Sequence, residues 1–174
     1  LFKYRVLLYA NCDEQVLRRI GASILVKYLE RGGGLCFLGG DSAFTKGMTD
    51  HEFASYLPFK PRRKSIKRAL LQLNSPKADH PIFKGLDLAN LPWSQYHHEL
   101  QLNPAMEHNV LLKVGDQPFI VESTYKGSRV MTVLCVPFHN PDALPQGHTH
   151  YLAWPDWEKL LANVIRYAGR DEQL

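Results

Sequence analysis

Three consecutive stretches decide the fold of this chain: YRVLLYA (residues 4–10), NCDEQVLRRIGASILVKYLER (residues 11–31) and GGGLCFLGGDS (residues 32–42). The first is a short, mostly apolar run, which is typical of a strand buried on both faces. In the second, apolar residues recur every three or four positions, which predicts one amphipathic helix over residues 14–31, begun by Asp13 and ended by the glycines. The third contains a second buried strand at residues 35–38 and a glycine turn. Strand, helix and strand with short joints predict a βαβ unit with parallel strands.

The rest of the chain predicts an antiparallel extension of that sheet. Three apolar runs, at residues 109–114, 118–125 and 129–136, are separated by turn pairs that contain glycine, which favours hairpins. The same patterns indicate a short helix over residues 50–57, a strand over 68–74, loops over 79–93 and 138–151, and a closing helix over 154–167. We therefore predict a single three-layer α/β domain over residues 1–174, with helices that cover the faces of the sheet.

Composition limits the class of protein. The chain has 174 residues, of which 45% are hydrophobic, so it is long enough to bury one core. No apolar run approaches the roughly 18 residues of a membrane span. The net charge of +4 comes largely from a basic run over residues 60–68, which has no interleaved aromatic residues and no nucleic-acid motif. We interpret that run as a solvated loop before a strand and expect no nucleic-acid partner.

The cysteines indicate a chain without a disulfide framework. The three of them, Cys12, Cys36 and Cys135, lie far apart in the sequence and form no CxxC pair. Cys36 and Cys135 lie within apolar runs, where a buried structural thiol is the usual role. This usage slightly favours a reducing, cytoplasmic compartment, although it leaves the localisation open.

Several segments together resemble one superfamily. Residues 32–44, GGGLCFLGGDSAF, are similar to the GGGLLxxGGxxSF segment of class I glutamine amidotransferase-like domains in their uncharacterised branch. Residues 79–86 resemble the HPIxxGL element of that branch, and residues 118–130 resemble its PLLV…YGKGRV hairpin. With the closing helix, the ordered series covers residues 4–168. The resemblance implies a flavodoxin-like fold.

The resemblance also implies that elements are missing at the start. In the family, a first strand and helix precede the strand that corresponds to residues 4–10. We therefore expect that the chain lacks these two elements or is part of a longer protein.

The nucleophile position is occupied by glycine. In active members of the superfamily, a cysteine on the turn after the strand is the nucleophile, a histidine on a later loop takes its proton, and a carboxylate orients that histidine. Here the turn falls on Gly39 and Gly40, while Cys36 lies about three residues earlier, inside the strand. We expect Cys36 to be buried and the domain to lack glutaminase activity. Ser42 is the alternative hydroxyl if a histidine approaches it, and otherwise it satisfies loop backbone groups.

A later segment resembles the histidine-bearing part of the active enzymes. Residues 136–142, VPFHNPD, are similar to the QFHPE strand end, which makes His139 the candidate base. Asn140 is an insertion relative to that pattern, so the role of Asp142 as the orienting carboxylate stays open. Ligands of parallel sheets bind at the carboxyl ends of strands. The candidate ligand-binding residues are therefore Gly39, Gly40, Asp41, Ser42 and His139.

Other histidines and aromatic residues offer alternative sites. Imidazoles of His97, His98, His139, His148 and His150 are possible metal ligands. The adjacent His97 and His98 would point to opposite faces of a strand. No fixed ligand motif is present, so no cofactor is predicted. His148 and His150 are kept as the metal candidates. The aromatic residues Trp93, Tyr96, Trp154 and Trp157 are interpreted as packing residues, with stacking on a sugar as the alternative.

Three functional hypotheses stay open. The missing nucleophile favours a non-catalytic binding or assembly module of a larger protein, with a small molecule or carbohydrate as ligand and other domains or a second copy as partners. The second hypothesis is a hydrolase that uses Ser42, or a metal, with His139. The third is an oligomerisation domain of a carbohydrate-active enzyme, a role that related domains have in some glycosidases.

Overall fold

The protein is described from a computed structural model, which covers residues 1–44, 57–60 and 65–171. Within these ranges the chain forms a mixed seven-stranded sheet and a few helices. The strands are β1 (Val6–Ala10), β2 (Gly34–Leu38), β3 (Ile66–Asn74), β4 (Trp93–His98), β5 (His108–Val114), β6 (Gln117–Tyr125) and β7 (Ser128–Val133). The helices are α1 (Glu14–Ile20), α2 (Ala22–Glu30) and α3 (Trp157–Ala168), and none of them combines the length and hydropathy that a membrane span requires.

The sheet has a parallel part and an antiparallel part. Its spatial order is β1-β2-β7-β6-β5-β3-β4. The strands β1, β2 and β7 run parallel, and every other neighbouring pair is antiparallel. The predicted βαβ unit and both predicted hairpins are therefore confirmed.

Two apolar clusters lie on opposite faces of this sheet. Because side chains alternate along a strand, Leu35 and Phe37 of β2 pack in one cluster with α2, whereas Cys36 packs in the other with α3. The second cluster is anchored by residues of α3 such as Leu160 and Val164, which are completely buried. This alternation buries the Cys36 side chain in the core. Only the end of β2 is left to form a site.

The single helix predicted over residues 14–31 is wrong. Two helices, α1 and α2, are separated at Gly21, whose φ of 83° lies in the left-handed region. That conformation interrupts the regular helical backbone and is available to glycine at little cost. The apolar spacing continues through the break, so the periodicity alone predicts one element.

Other differences concern the boundaries of elements. The strand β4 begins at Trp93, the last residue of the predicted connection, and it has no apolar run to reveal it. The predicted strand over 129–136 ends at Val133, and the chain then bends so that Cys135 pairs with His97. A short 3-10 turn, Tyr151–Ala153, precedes α3, which begins three residues later than predicted. The expected helix over 50–57 lies outside the described ranges, except for Leu57.

Candidate functional site

The glycine turn lies at the carboxyl ends of β1 and β2, where α/β sheets bind ligands. A Cβ atom built on Gly39 would lie under 3.0 Å from the Cys135 carbonyl oxygen and from the His98 ring. On Gly40 it would lie under 3.0 Å from the Asn11 side chain. Real Cβ contacts essentially never approach this closely, so a side chain at Gly39 would have to displace the backbone of Cys135. A side chain at Gly40 would have to displace the Asn11 side chain from its hydrogen bonds.

Asn11 connects the end of β1 to this turn. Its amide nitrogen Nδ2 donates to Asp41 Oδ1 at 2.8 Å, and its Oδ1 accepts from the Ser42 backbone N–H at 2.8 Å. Asn11 itself has a φ of 50°, a left-handed conformation that asparagine tolerates better than most residues. These contacts hold Asp41 and Ser42 at the surface, where both are exposed.

The histidine that contacts the turn is His98, on β4. It is completely buried, with Nε2 at 2.9 Å from the Gly40 carbonyl oxygen and Nδ1 at 2.6 Å from Ser65 Oγ. The Gly40 N–H lies farther from Nε2, at 3.3 Å. The shorter carbonyl contact requires a proton on Nε2, so Ser65 donates to Nδ1. Burial lowers the pKa of His98 to about 4, hence the ring is neutral at pH 7.

Cys36 is buried behind the turn, as predicted. Its exposed fraction is 0%, and burial raises the pKa of its thiol to about 12. Proximity to Cys135, which is also a free buried cysteine, raises it further. A thiol in this state is protonated at neutral pH and cannot act as a nucleophile.

Ser42 and His139 have different partners. The Ser42 hydroxyl lies 3.4 Å from Asp41 Oδ1. The His139 ring stacks on that of His150, with centroids 4.7 Å apart and an interplanar angle of 14°. Across the described ranges, no hydrogen bond joins Ser42 to a histidine. The proposed hydroxyl–imidazole pair is therefore not assembled in this conformation.

His150 connects the exposed His139 to the core. It is 1% exposed, and burial together with the neighbouring His139 lowers its pKa to about 4. Its ring also contacts that of Tyr151, whose hydroxyl donates to the Val136 carbonyl oxygen at 2.6 Å. The stack fixes the loop that carries His139 against the end of the strand.

Gln95 gives Asn140 a structural role. Its amide donates to the Asn140 carbonyl at 2.7 Å and accepts from the Asn140 N–H at 2.6 Å. The Asn140 side chain in turn accepts from the Asp142 N–H at 3.1 Å. Asp142 is exposed, and within the described residues its carboxylate makes no hydrogen bond to His139.

The metal candidates do not converge. His148 packs edge-on against Trp93 with ring centroids 4.8 Å apart, whereas His150 is buried and its Nδ1 accepts from the Leu152 N–H. No group of three or more His, Cys, Asp or Glu side chains suited to a metal occurs among the residues the structure describes. His97 is buried with both ring nitrogens lacking a partner in those ranges. The nearby Tyr96 contacts Phe138.

Four residues of the site do not follow from the sequence patterns: Asn11, Ser65, Gln95 and His98. Each lies far along the chain from its partner, as His98 does from Gly40, 58 positions away. One signal was available for Asn11, since a polar residue directly after a buried strand lies at the ligand-binding edge of a parallel sheet.

Comparisons with known proteins identify the fold. No protein-family model matches the chain, and no curated protein does. The chain is similar to cytoplasmic protein STM3548 from Salmonella typhimurium, with a TM-score of 0.77 at 15% identity over 96% of this chain and 72% of that one. Cytoplasmic protein STM1381 from Salmonella typhimurium LT2 gives 0.76 at 16% identity over 97% and 73%. A protein described only as ThuA-like, from Parabacteroides merdae, gives 0.55 at 13% identity over 96% and 71%. At these identities the likeness establishes the α/β fold alone.

Proposed function

We propose that this chain is a class I glutamine amidotransferase-like domain of flavodoxin-like fold that lacks a catalytic cysteine and acts as a binding or assembly module of a larger protein. The observation that carries the proposal is the packing of the glycine turn. Gly39 lies so close to the Cys135 carbonyl, and Gly40 to the Asn11 side chain, that a nucleophile at the turn would force one of these neighbours to shift.

The other nucleophile candidates are unsuited for separate reasons. Cys36 is buried and protonated, because its pKa is raised to about 12. The Ser42 hydroxyl lies 3.4 Å from the Asp41 carboxylate, and no described histidine bonds to it as a base. His98, the one described histidine that bonds to the turn, uses Nε2 to hold the Gly40 carbonyl. The geometry favours a rigid binding surface over a catalytic centre.

The groups that remain accessible indicate the class of ligand. Asp41, Ser42 and His139 are exposed at the carboxyl edge of the sheet and offer hydrogen-bond donors and acceptors. Such groups suit a polar small molecule or a carbohydrate hydroxyl group. The hydrogen bond from the Ser42 backbone N–H to Asn11 Oδ1 keeps this surface ordered before a ligand arrives.

Glutamine provides the direct test of the missing chemistry. Incubation with glutamine should release no ammonia above the level of heat-denatured protein, and a diazoketone analogue of glutamine should form no adduct on Cys36. Mass spectrometry of tryptic peptides detects the adduct, and a Cys12→Ser variant controls for the more accessible Cys12 thiol. Ammonia release that Cys36→Ser abolishes would overturn the proposal. Ester hydrolysis lost in both Ser42→Ala and His139→Ala would favour the hydrolase instead.

The edge of the sheet favours an assembly role as a second candidate. Among the residues that the structure describes, β1 is an edge strand that pairs with β2 alone. Arg5 and Asn11 bond to β2 through their backbones, so the alternating groups of Val6, Leu8 and Ala10 point to the open side. The Leu8 side chain is 46% exposed. An open edge with apolar side chains pairs readily with another strand, which suits a strand from another domain of a larger protein or from a second copy of the chain.

Hydrogen exchange tests this assembly. The amides of Leu8 and Ala10 should exchange fast in the isolated 174-residue chain and at least about tenfold more slowly in the larger protein of which we propose it to be a module. The amides of Leu7 and Tyr9, which face β2, are the internal controls and should be protected in both. Equal exchange of Leu8 in the two proteins would contradict a strand added at β1.

A further inference from the structure

A cavity of about 640 Å³ opens at the end of the sheet where β1 and β2 begin. It is lined by the residues before β1, the loop after α2 and the residues just after α3. Its volume lies within the range of small-molecule sites. Each strand has five residues, which span about 17 Å, so this cavity is separate from the glycine turn at the other end.

The cavity has an excess of positive charge. Lys3, Arg5, Arg31 and Arg170 line it, with Asp171 as the acidic side chain. The ion pairs found among the described residues do not involve Lys3, Arg5 or Arg31. The carboxyl ends of α2 and α3 contribute about half a negative charge each, which does not offset the cations.

Aromatic faces lie beside these cations. Phe2 is 47% exposed and Tyr4 is 55% exposed, an unusual exposure for large rings. The Arg31 guanidinium lies over the Phe2 ring at 4.4 Å from its centroid, and the Lys3 amine lies 5.2 Å from that of Tyr4. An exposed ring beside a guanidinium is a surface on which a planar group stacks.

The base of the cavity is held in place by hydrogen bonds. The Arg5 carbonyl accepts from the Gly34 N–H at 2.9 Å, and the Arg31 N–H donates to the Tyr28 carbonyl at 3.3 Å. Gly33 packs against the Tyr28 ring so closely that a Cβ atom would lie under 3.0 Å from it. The backbones of both arginines are therefore positioned before any ligand binds, although their side chains are exposed.

We propose that this cavity binds a phosphorylated compound with a planar aromatic ring, of the chemical class of a nucleoside diphosphate. Arg5, Arg31 and Lys3 together carry more positive charge than one carboxylate would neutralise. Guanidinium groups also match phosphate oxygens in bidentate hydrogen bonds. Phe2 and Tyr4 provide the stacking surface for the ring. A volume of about 640 Å³ suits a small ligand rather than a nucleic-acid strand. This site is independent of the function proposed for the glycine turn.

Calorimetric titration with ADP tests the site, with pyrophosphate as the ring-free probe. ADP should bind saturably, and Arg5→Ala or Arg31→Ala should each weaken binding about tenfold, as expected for a lost charge-assisted hydrogen bond. Phe2→Ser should weaken ADP binding about tenfold while pyrophosphate binding stays unchanged. Lys113→Ala, which removes an exposed cation on β5, is the matched control and should change neither affinity.

Several outcomes would overturn the proposal. Absence of saturable ADP binding at about millimolar concentration, where weak ligands are still detected, excludes the site. An equal loss in Lys113→Ala and Arg31→Ala identifies nonspecific charge attraction. Pyrophosphate binding as tightly as ADP removes the role of the ring, and an oligonucleotide that binds more tightly than ADP identifies a nucleic-acid surface instead. Circular dichroism of each variant separates lost binding from lost folding.

Discussion

Gly39→Ala should lower the free energy of unfolding by about 3 kcal/mol, at the upper end of the range for an overpacked site. The added methyl group would meet the Cys135 carbonyl oxygen on one side and the His98 ring on the other, both under 3.0 Å away. The backbone of Cys135 is fixed by its pairing with His97, so it cannot move aside without breaking that bridge. Urea unfolding followed by circular dichroism measures the loss.

Gly169→Ala is the matched control for this prediction. Gly169 has a φ of −78°, which alanine adopts freely, and its nearest neighbours would lie at 3.5 Å, an ordinary contact distance. The free energy of unfolding of Gly169→Ala should change by less than about 1 kcal/mol. A small gain is expected because alanine reduces the conformational entropy of the unfolded chain. Similar stabilities of Gly39→Ala and Gly169→Ala would contradict the packing argument. The turn would then have room for a nucleophile, and the proposed function would lose its main support.

Two adjacent buried histidines should respond very differently to the same substitution. His98→Leu should lower the free energy of unfolding by about 3 kcal/mol, because it leaves the Gly40 carbonyl and the Ser65 hydroxyl without their partner. His97→Leu removes two ring nitrogens that have no hydrogen-bond partner within the described residues, so its stability should change by less than about 1 kcal/mol. Urea unfolding of both variants makes the comparison.

The pH dependence provides a second readout for His98. Its folded pKa of about 4 lies below the ordinary value of 6.5, so between these values the unfolded state binds more protons. The stability contribution of His98 is therefore complete above pH 6.5 and declines as the pH falls towards 4, by at most about 1.4 kcal/mol per pH unit. His98→Leu should lose less stability than the parent protein between about pH 7 and about pH 5. A steeper loss in the variant would exclude His98 as a buried neutral group.

Much of the fold follows from local pattern. The runs in β1, β2, β5, β6 and β7 are apolar, and their turn residues are of standard types, so hydrophobic periodicity is sufficient to predict them. The element β4 differs because four of its six residues, Ser94, Gln95, His97 and His98, are polar and yet buried. Burial of polar side chains depends on partners from elsewhere in the chain, which a local pattern does not contain.

The same distinction between local pattern and distant contacts applies to the candidate site. The sequence determined by itself where the glycine turn lies and that Cys36 points into the core, because alternation along a buried strand is a local property. Only the tertiary structure decided which histidine contacts the turn, since Gly40 and His98 are 58 residues apart and meet through the order of the strands. The tertiary structure also forms the cavity that Arg5 and Arg31 line, since these two residues lie on either side of α2 in the chain. Contacts between distant segments depend on how the whole chain packs, and that packing is a property of the complete fold.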